Sequence, residues 1–87
     1  MASYELRFKR SVRKDLRAIP NADVRRILAF IEALREQPRP EGCEKLTGAA
    51  RYRVRIGVYR VIYEIIDQQL LVIVVKVGHR RHVYRSG

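Results

Sequence analysis

Apolar and charged positions alternate most regularly in the middle of the chain. From position 51 the residues run Arg-Tyr-Arg-Val-Arg-Ile, then Gly57-Val58, then Tyr-Arg-Val-Ile-Tyr-Glu-Ile. A period of two predicts strands with one buried and one wet face. Glycine at the first central position of a two-residue loop suits a type II′ hairpin. With Gly57 and Val58 as the turn, Ile56 faces Tyr59, Arg55 faces Arg60, Arg53 faces Ile62 and Arg51 faces Glu64. Opposed residues share a face. One face therefore gathers Arg51, Arg53, Arg55 and Arg60, with one carboxylate, Glu64, at its far end. The other gathers Tyr52, Val54, Ile56, Tyr59, Val61, Tyr63 and Ile65 as a core, so the three tyrosines read as packing residues. Placing Arg55 against Arg60 costs stability unless an anion lies between them. The arginine face is expected to receive phosphate.

The flanking segments follow from the same patterning. Tyr4, Leu6 and Phe8 alternate with charged neighbours and predict a first strand. Val12, Leu16 and Ile19 recur at helical spacing, with Arg10, Arg13, Lys14 and Arg17 on the opposite side, and Pro20 ends that helix. Asn21 is expected to cap a second helix, with Asp23 in its first turn. Val24, Ile27, Leu28, Ile31 and Leu34 form its buried stripe, widened by Phe30, until Pro38-Arg39-Pro40 stops it. Residues 41–50 read as a loop containing Lys45 and Cys43. A turn at Asp67-Gln68 leads into Leu70 to Val77, apolar on both faces as in a central strand, with Val75 facing Arg60. Gly78 is expected to end this strand, leaving His79 to Arg85 as a basic tail beside the Arg55–Arg60 pair. The predicted order is β-α-α-β-β-β over residues 1–87. That is one α+β domain, an antiparallel-rich twisted sheet with a two-helix hairpin packed on one face.

Composition narrows the function. Nineteen Lys and Arg against nine Asp and Glu give a net charge of +10, which points to a polyanionic partner. Fifteen of those cations are arginines, whose planar fork matches phosphate bidentately and stacks on bases. A single cysteine allows no internal disulfide, and the charged first ten residues are unlike a secretory signal. The longest apolar run, Leu70 to Val75, is too short to span a bilayer. A cytoplasmic protein without a membrane partner is expected. His79 and His82 have a spacing compatible with metal but lack a third ligand in sequence, so no metal or cofactor is assigned. Carboxylates are too few for a metal-dependent nuclease, so any nuclease activity should be metal-independent.

Three segments taken together resemble the RelE/ParE toxin superfamily, most closely its RelE branch. They are Tyr4-Glu5-Leu6-Arg7-Phe8 leading into Ser11-Val12-Arg13-Lys14-Asp15-Leu16, the hairpin Tyr52 to Tyr63, and Val77-Gly78-His79-Arg80-Arg81-His82-Val83-Tyr84. The resemblance covers nearly the whole chain. It implies the toxin of a type II toxin–antitoxin system, an endoribonuclease that cuts mRNA on the ribosome through attack by the RNA's own 2′-hydroxyl. It also implies a cognate antitoxin that wraps the toxin, a hetero-oligomeric complex, and operator DNA bound through the antitoxin.

By position, Arg60, Arg80 and Tyr84 fall on the family's catalytic residues. Arg60 and Arg80 would hold the scissile phosphate, and Tyr84 would be the general base, with His79 or His82 as proton donor or alternative base. Arg51, Arg53, Arg55, Lys45, His79, Arg81 and His82 would bind the RNA. Arginine stands at 53 and 55 where relatives often carry lysines, which keeps charge but removes groups able to shuttle protons. Val58 and His82 stand where many relatives have an acid. The chain stops three residues after Tyr84, so the C-terminal helix of some relatives is expected to be absent. Two alternatives remain open. One is a ParE-like inhibitor of DNA gyrase without nuclease activity, and the other a general nucleic-acid-binding module.

Overall fold

The hairpin forms as its alternation dictates. In the computed structural model, which describes residues 3–46, 48 and 50–79, β3 (Arg51–Ile56) pairs antiparallel with β4 (Tyr59–Ile66). Ile56 faces Tyr59, Arg55 faces Arg60, Arg53 faces Ile62 and Arg51 faces Glu64, as expected. Gly57 has φ 61° and Val58 has none of the positive φ that a type I′ turn would need, which leaves type II′.

Around the hairpin lies a sheet of five strands in the order β1-β5-β4-β3-β2. The first strand, β1 (Glu5–Phe8), runs parallel to β5 (Leu71–His79), which is antiparallel to β4. A short strand, β2 (Glu44–Lys45), pairs with β3 inside the segment expected to be loop. Helices α1 (Arg10–Arg17) and α2 (Asn21–Ala33) supply one layer of the core. Val12, Ile27, Ile31 and Leu34 pack there with Val54, Val61, Tyr63, Val72, Val74 and Val77. Pro20 occupies the N-cap of α2, so Asn21 is its first helical residue rather than its cap. The buried stripe is narrower than predicted, because Leu28 stays 38% exposed.

The largest departure from expectation is the register of β5. Asp-Gln has no glycine to take positive φ in a two-residue loop. The chain instead makes a 3₁₀ turn, Asp67–Gln69, closed by Leu70 in the left-handed region at φ 50°. A bulge opposite Ile62 and Tyr63 then leaves Val75 without a partner in β4. The longer turn moves the register by two positions and the bulge by one more. Arg60 therefore faces Gly78 rather than Val75, and Gly78 lies within β5 instead of ending it.

The segment after α2 is fastened to this turn. Arg39 donates two hydrogen bonds to Asp67 at 3.2 and 2.7 Å and a third, from Nε, to the Tyr52 hydroxyl at 3.1 Å. Its guanidinium also lies 5.1 Å from the Tyr52 ring centre. Tyr4 donates to Asp67 at 2.7 Å, and Tyr63 to the Pro38 carbonyl at 2.7 Å. The Arg39 guanidinium, with help from Tyr4, lowers the Asp67 carboxyl to about 2.

Candidate nucleic-acid interface

Register alone sorts the charged side chains into rows across the sheet face carrying the arginines. Arg55, Arg60 and Gly78 form the row nearest the Gly57 turn. Glu44, Arg53, Ile62 and Lys76 form the next. Beyond the bulge, Arg51, Glu64, Ile73 and Arg7 form a third.

The rows differ in how their charge is answered. Arg51 donates from Nε to Glu64 at 2.8 Å, and Arg53 donates to Glu44 at 3.0 Å. In the Arg55–Arg60–Gly78 row the register sets two arginines beside a glycine, with Glu41 and Glu44 on the adjoining cavity wall. Arg55 is exposed, whereas Arg60 is 3% exposed, the only buried charged side chain among the described residues. Arg53, Arg55 and Arg60 line one cavity of about 290 Å³ together with Glu41, Gly42 and Glu44. A guanidinium held out of water interacts more strongly with an anion that reaches it, because less solvent screens the pair. The cavity therefore favours a phosphate-sized anion, with Glu44 competing for Arg53.

Other expected site residues lie elsewhere. Lys45 is opposite Tyr52, and His79 opposite Tyr59, so both carry the parity of the core face rather than the arginine face. The His79 ring meets Tyr59 edge-on, with centroids 6.2 Å apart. Tyr59 itself donates to Asp23 at 3.1 Å, and burial followed by that carboxylate raises its pKa. Arg80, Arg81, His82 and Tyr84 lie outside the described residues. The structure thus gathers Arg53, Arg55 and Arg60, ties Arg51 to Glu64, and sets Lys45 and His79 on the other side.

Sequence reasoning missed Lys76. The expected register would have put it opposite Tyr59, on the core face; the longer turn and the bulge place it opposite Ile62, beside the arginines. A lysine inside an otherwise apolar central strand was itself the available signal, since a buried lysine without a partner is costly.

A second concave surface lies on the helical side. Phe8, Val12, Leu16 and Leu28 line a groove of about 480 Å³ edged by Lys9, Arg10 and Arg13. Phe8 is 43% exposed there, so the groove presents apolar area with a cationic rim.

Comparison with known proteins adds four observations. The family model of the ParE toxin of the type II toxin–antitoxin system parDE matches residues 6–84. The toxin RelG of Mycobacterium tuberculosis is 31% identical over 94% of this chain and 97% of its own length. Among solved structures, the archaeal RelE–RelB complex from Pyrococcus horikoshii matches with TM-score 0.81 at 32% identity, covering 90% of this chain and 96% of that one. The RelBE2 toxin–antitoxin complex from Mycobacterium tuberculosis matches with TM-score 0.80 at 28% identity, covering 90% and 99%.

Proposed function

The chain belongs to the RelE/ParE superfamily of toxins from type II toxin–antitoxin systems, and on that footing we propose that it is an endoribonuclease that cuts mRNA on cytoplasmic ribosomes. The observation that carries this reading is the gathering of Arg53, Arg55 and Arg60 on one cavity of the sheet face, with Arg55 opposite Arg60 and Arg60 buried. Like charges placed so are repaid by a bound anion, and the RNA backbone supplies one at every nucleotide. The carboxylates Glu44 and Glu64 on this face are each tied to an arginine, which favours a reaction that needs no metal.

In the proposed reaction a base takes the proton of the 2′-hydroxyl, and that oxygen attacks the adjacent phosphorus. The bond from phosphorus to the 5′-oxygen breaks, and a donor protonates the leaving oxygen. The products are a 2′,3′-cyclic phosphate and a free 5′-hydroxyl. Arg60 and Arg80 would hold the non-bridging oxygens and stabilise the charge that develops on them. Tyr84 would be the base, with His82 as donor. Arg53, Arg55, Arg81 and Lys76 would carry the flanking phosphates. Arg51 would serve the sheet through Glu64.

Arg60→Ala and Tyr84→Phe, assayed in a reconstituted translation system, should each lower the cleavage rate by about 100-fold or more. Full activity in both would refute the proposal. The match to the ParE family model favours one other reading, a gyrase inhibitor. Mapping transcript 5′ ends after induction separates the two, because a gyrase poison would leave transcripts uncut and trigger a DNA-damage response.

The RelE relative from Pyrococcus horikoshii was solved with RelB, and a cognate antitoxin is proposed here as well. Its chemistry should be that of an acidic, amphipathic segment that folds on contact, since the Phe8–Leu28 groove offers apolar area inside a cationic rim. Failure of an acidic co-expressed neighbour to co-purify would count against this pairing.

A further inference from the structure

Only the first half of β5 has a strand on both sides. Over Leu71–Val74 it lies between β1 and β4; past Val74 the chain that formed β1 has turned into α1, and β4 alone pairs with β5. A ladder would have supplied an acceptor for the outward amide of Val77. A side chain supplies it instead: Asp15 on α1 accepts the Val77 N–H at Oδ2, 3.1 Å away. From α2, Asp23 accepts the Tyr59 hydroxyl at 3.1 Å, and the Tyr59 ring abuts the His79 ring. One carboxylate thus holds Val77 directly and another holds Tyr59, whose ring meets His79; Val77 and His79 are the residues either side of Gly78. Gly78 is the position that faces Arg60.

We propose that Asp15 is a positioning residue for RNA cleavage, seconded by the Asp23–Tyr59 pair. Both bear on the end of β5 that faces Arg60, and in sequence Arg80 and Tyr84 follow that end. The proposal rests on the nuclease reading above. A strand end with one neighbour frays readily, and a hydrogen bond to a carboxylate is stronger than one between neutral groups. Misplacing reacting groups by about 1 Å can cost about 100-fold in rate, so a modest loosening here should appear in chemistry before it appears in binding.

The test uses the full chain with Asp15→Ala, Asp15→Asn and Tyr59→Phe. Asp15→Ala should lower single-turnover cleavage by about 10- to 100-fold while leaving affinity for a short RNA within about twofold. It should also speed hydrogen exchange at the Val77 amide without changing Ile27 or Ile31 in the core. Asp15→Asn keeps an acceptor oxygen and should restore most of the rate. Tyr59→Phe, which removes only a hydroxyl, should lower the rate by roughly three- to tenfold and keeps the idea testable if Asp15→Ala fails to fold. Wild-type rates in a folded Asp15→Ala or in Tyr59→Phe would overturn the proposal. So would an Asn variant as impaired as the Ala one, or a loss confined to RNA affinity. A wild-type chain that binds RNA and cuts none would overturn the nuclease reading alone, and exchange at Val77 would still judge the role given to Asp15.

Discussion

The two ends of the sheet arrange positive charge differently. At the end near the 67–70 turn, every arginine described has an acid of its own: Arg51 meets Glu64, and Arg39 takes both oxygens of Asp67 while covering Tyr52. At the end near Gly57, Arg55 stands opposite Arg60 and the third position of the row is a glycine. Both ends belong to the same hairpin, so strand propensity cannot explain the contrast. Where the chain supplies its own counter-charge, the charge is serving the fold. Where it sets two arginines opposite each other on one cavity, the arrangement suits an anion brought by a partner.

If that division holds, perturbing the first end should be felt in stability and perturbing the second in RNA. The largest effect expected at the first end is on acid resistance. The carboxyl of Asp67 is lowered in the folded chain from 3.8 to about 2, chiefly by Arg39. The unfolded chain then binds the extra proton first as pH drops. The stability Asp67 supplies is whole above its ordinary value and drains away as pH falls toward the folded one. Thermal melts from about pH 5 down to about pH 2 should therefore show a shallower acid slope for Asp67→Asn than for the wild type, with RNA affinity untouched.

A smaller effect is expected at the boundary between the two ends. Glu44 occupies Arg53 at 3.0 Å across a partly exposed pair. Glu44→Gln should raise RNA affinity by about two- to fivefold in a filter-binding titration, the range that an exposed ion pair commonly supports.

The hairpin was legible in sequence because two local signals agreed. Strict alternation fixed which residues share a face, and Gly57 fixed where the chain turns, so the opposition of Arg55 and Arg60 followed without any tertiary information. The position of β5 was not legible, since an Asp-Gln pair does not declare how many residues a turn will use and the bulge that frees Val75 has no sequence mark. Those hidden residues decided that Gly78 rather than Val75 meets Arg60, that Lys76 joins the cations, and that His79 turns toward Tyr59. The β2 strand escaped for a related reason: two residues at a sheet edge carry too short a period to read. The role of Asp15 had no sequence mark, because its partner is an amide 62 positions away.

The most direct test of the division gives the Gly57 end the device used at the other. Arg55→Glu would set a carboxylate opposite Arg60, as Glu64 is set opposite Arg51. Thermal melting and titration with a short RNA, performed on the same preparation, should show a higher melting temperature and an RNA affinity weaker by about tenfold or more. RNA affinity retained at the wild-type level, or a fall in melting temperature, would contradict the assignment of this row to a bound phosphate.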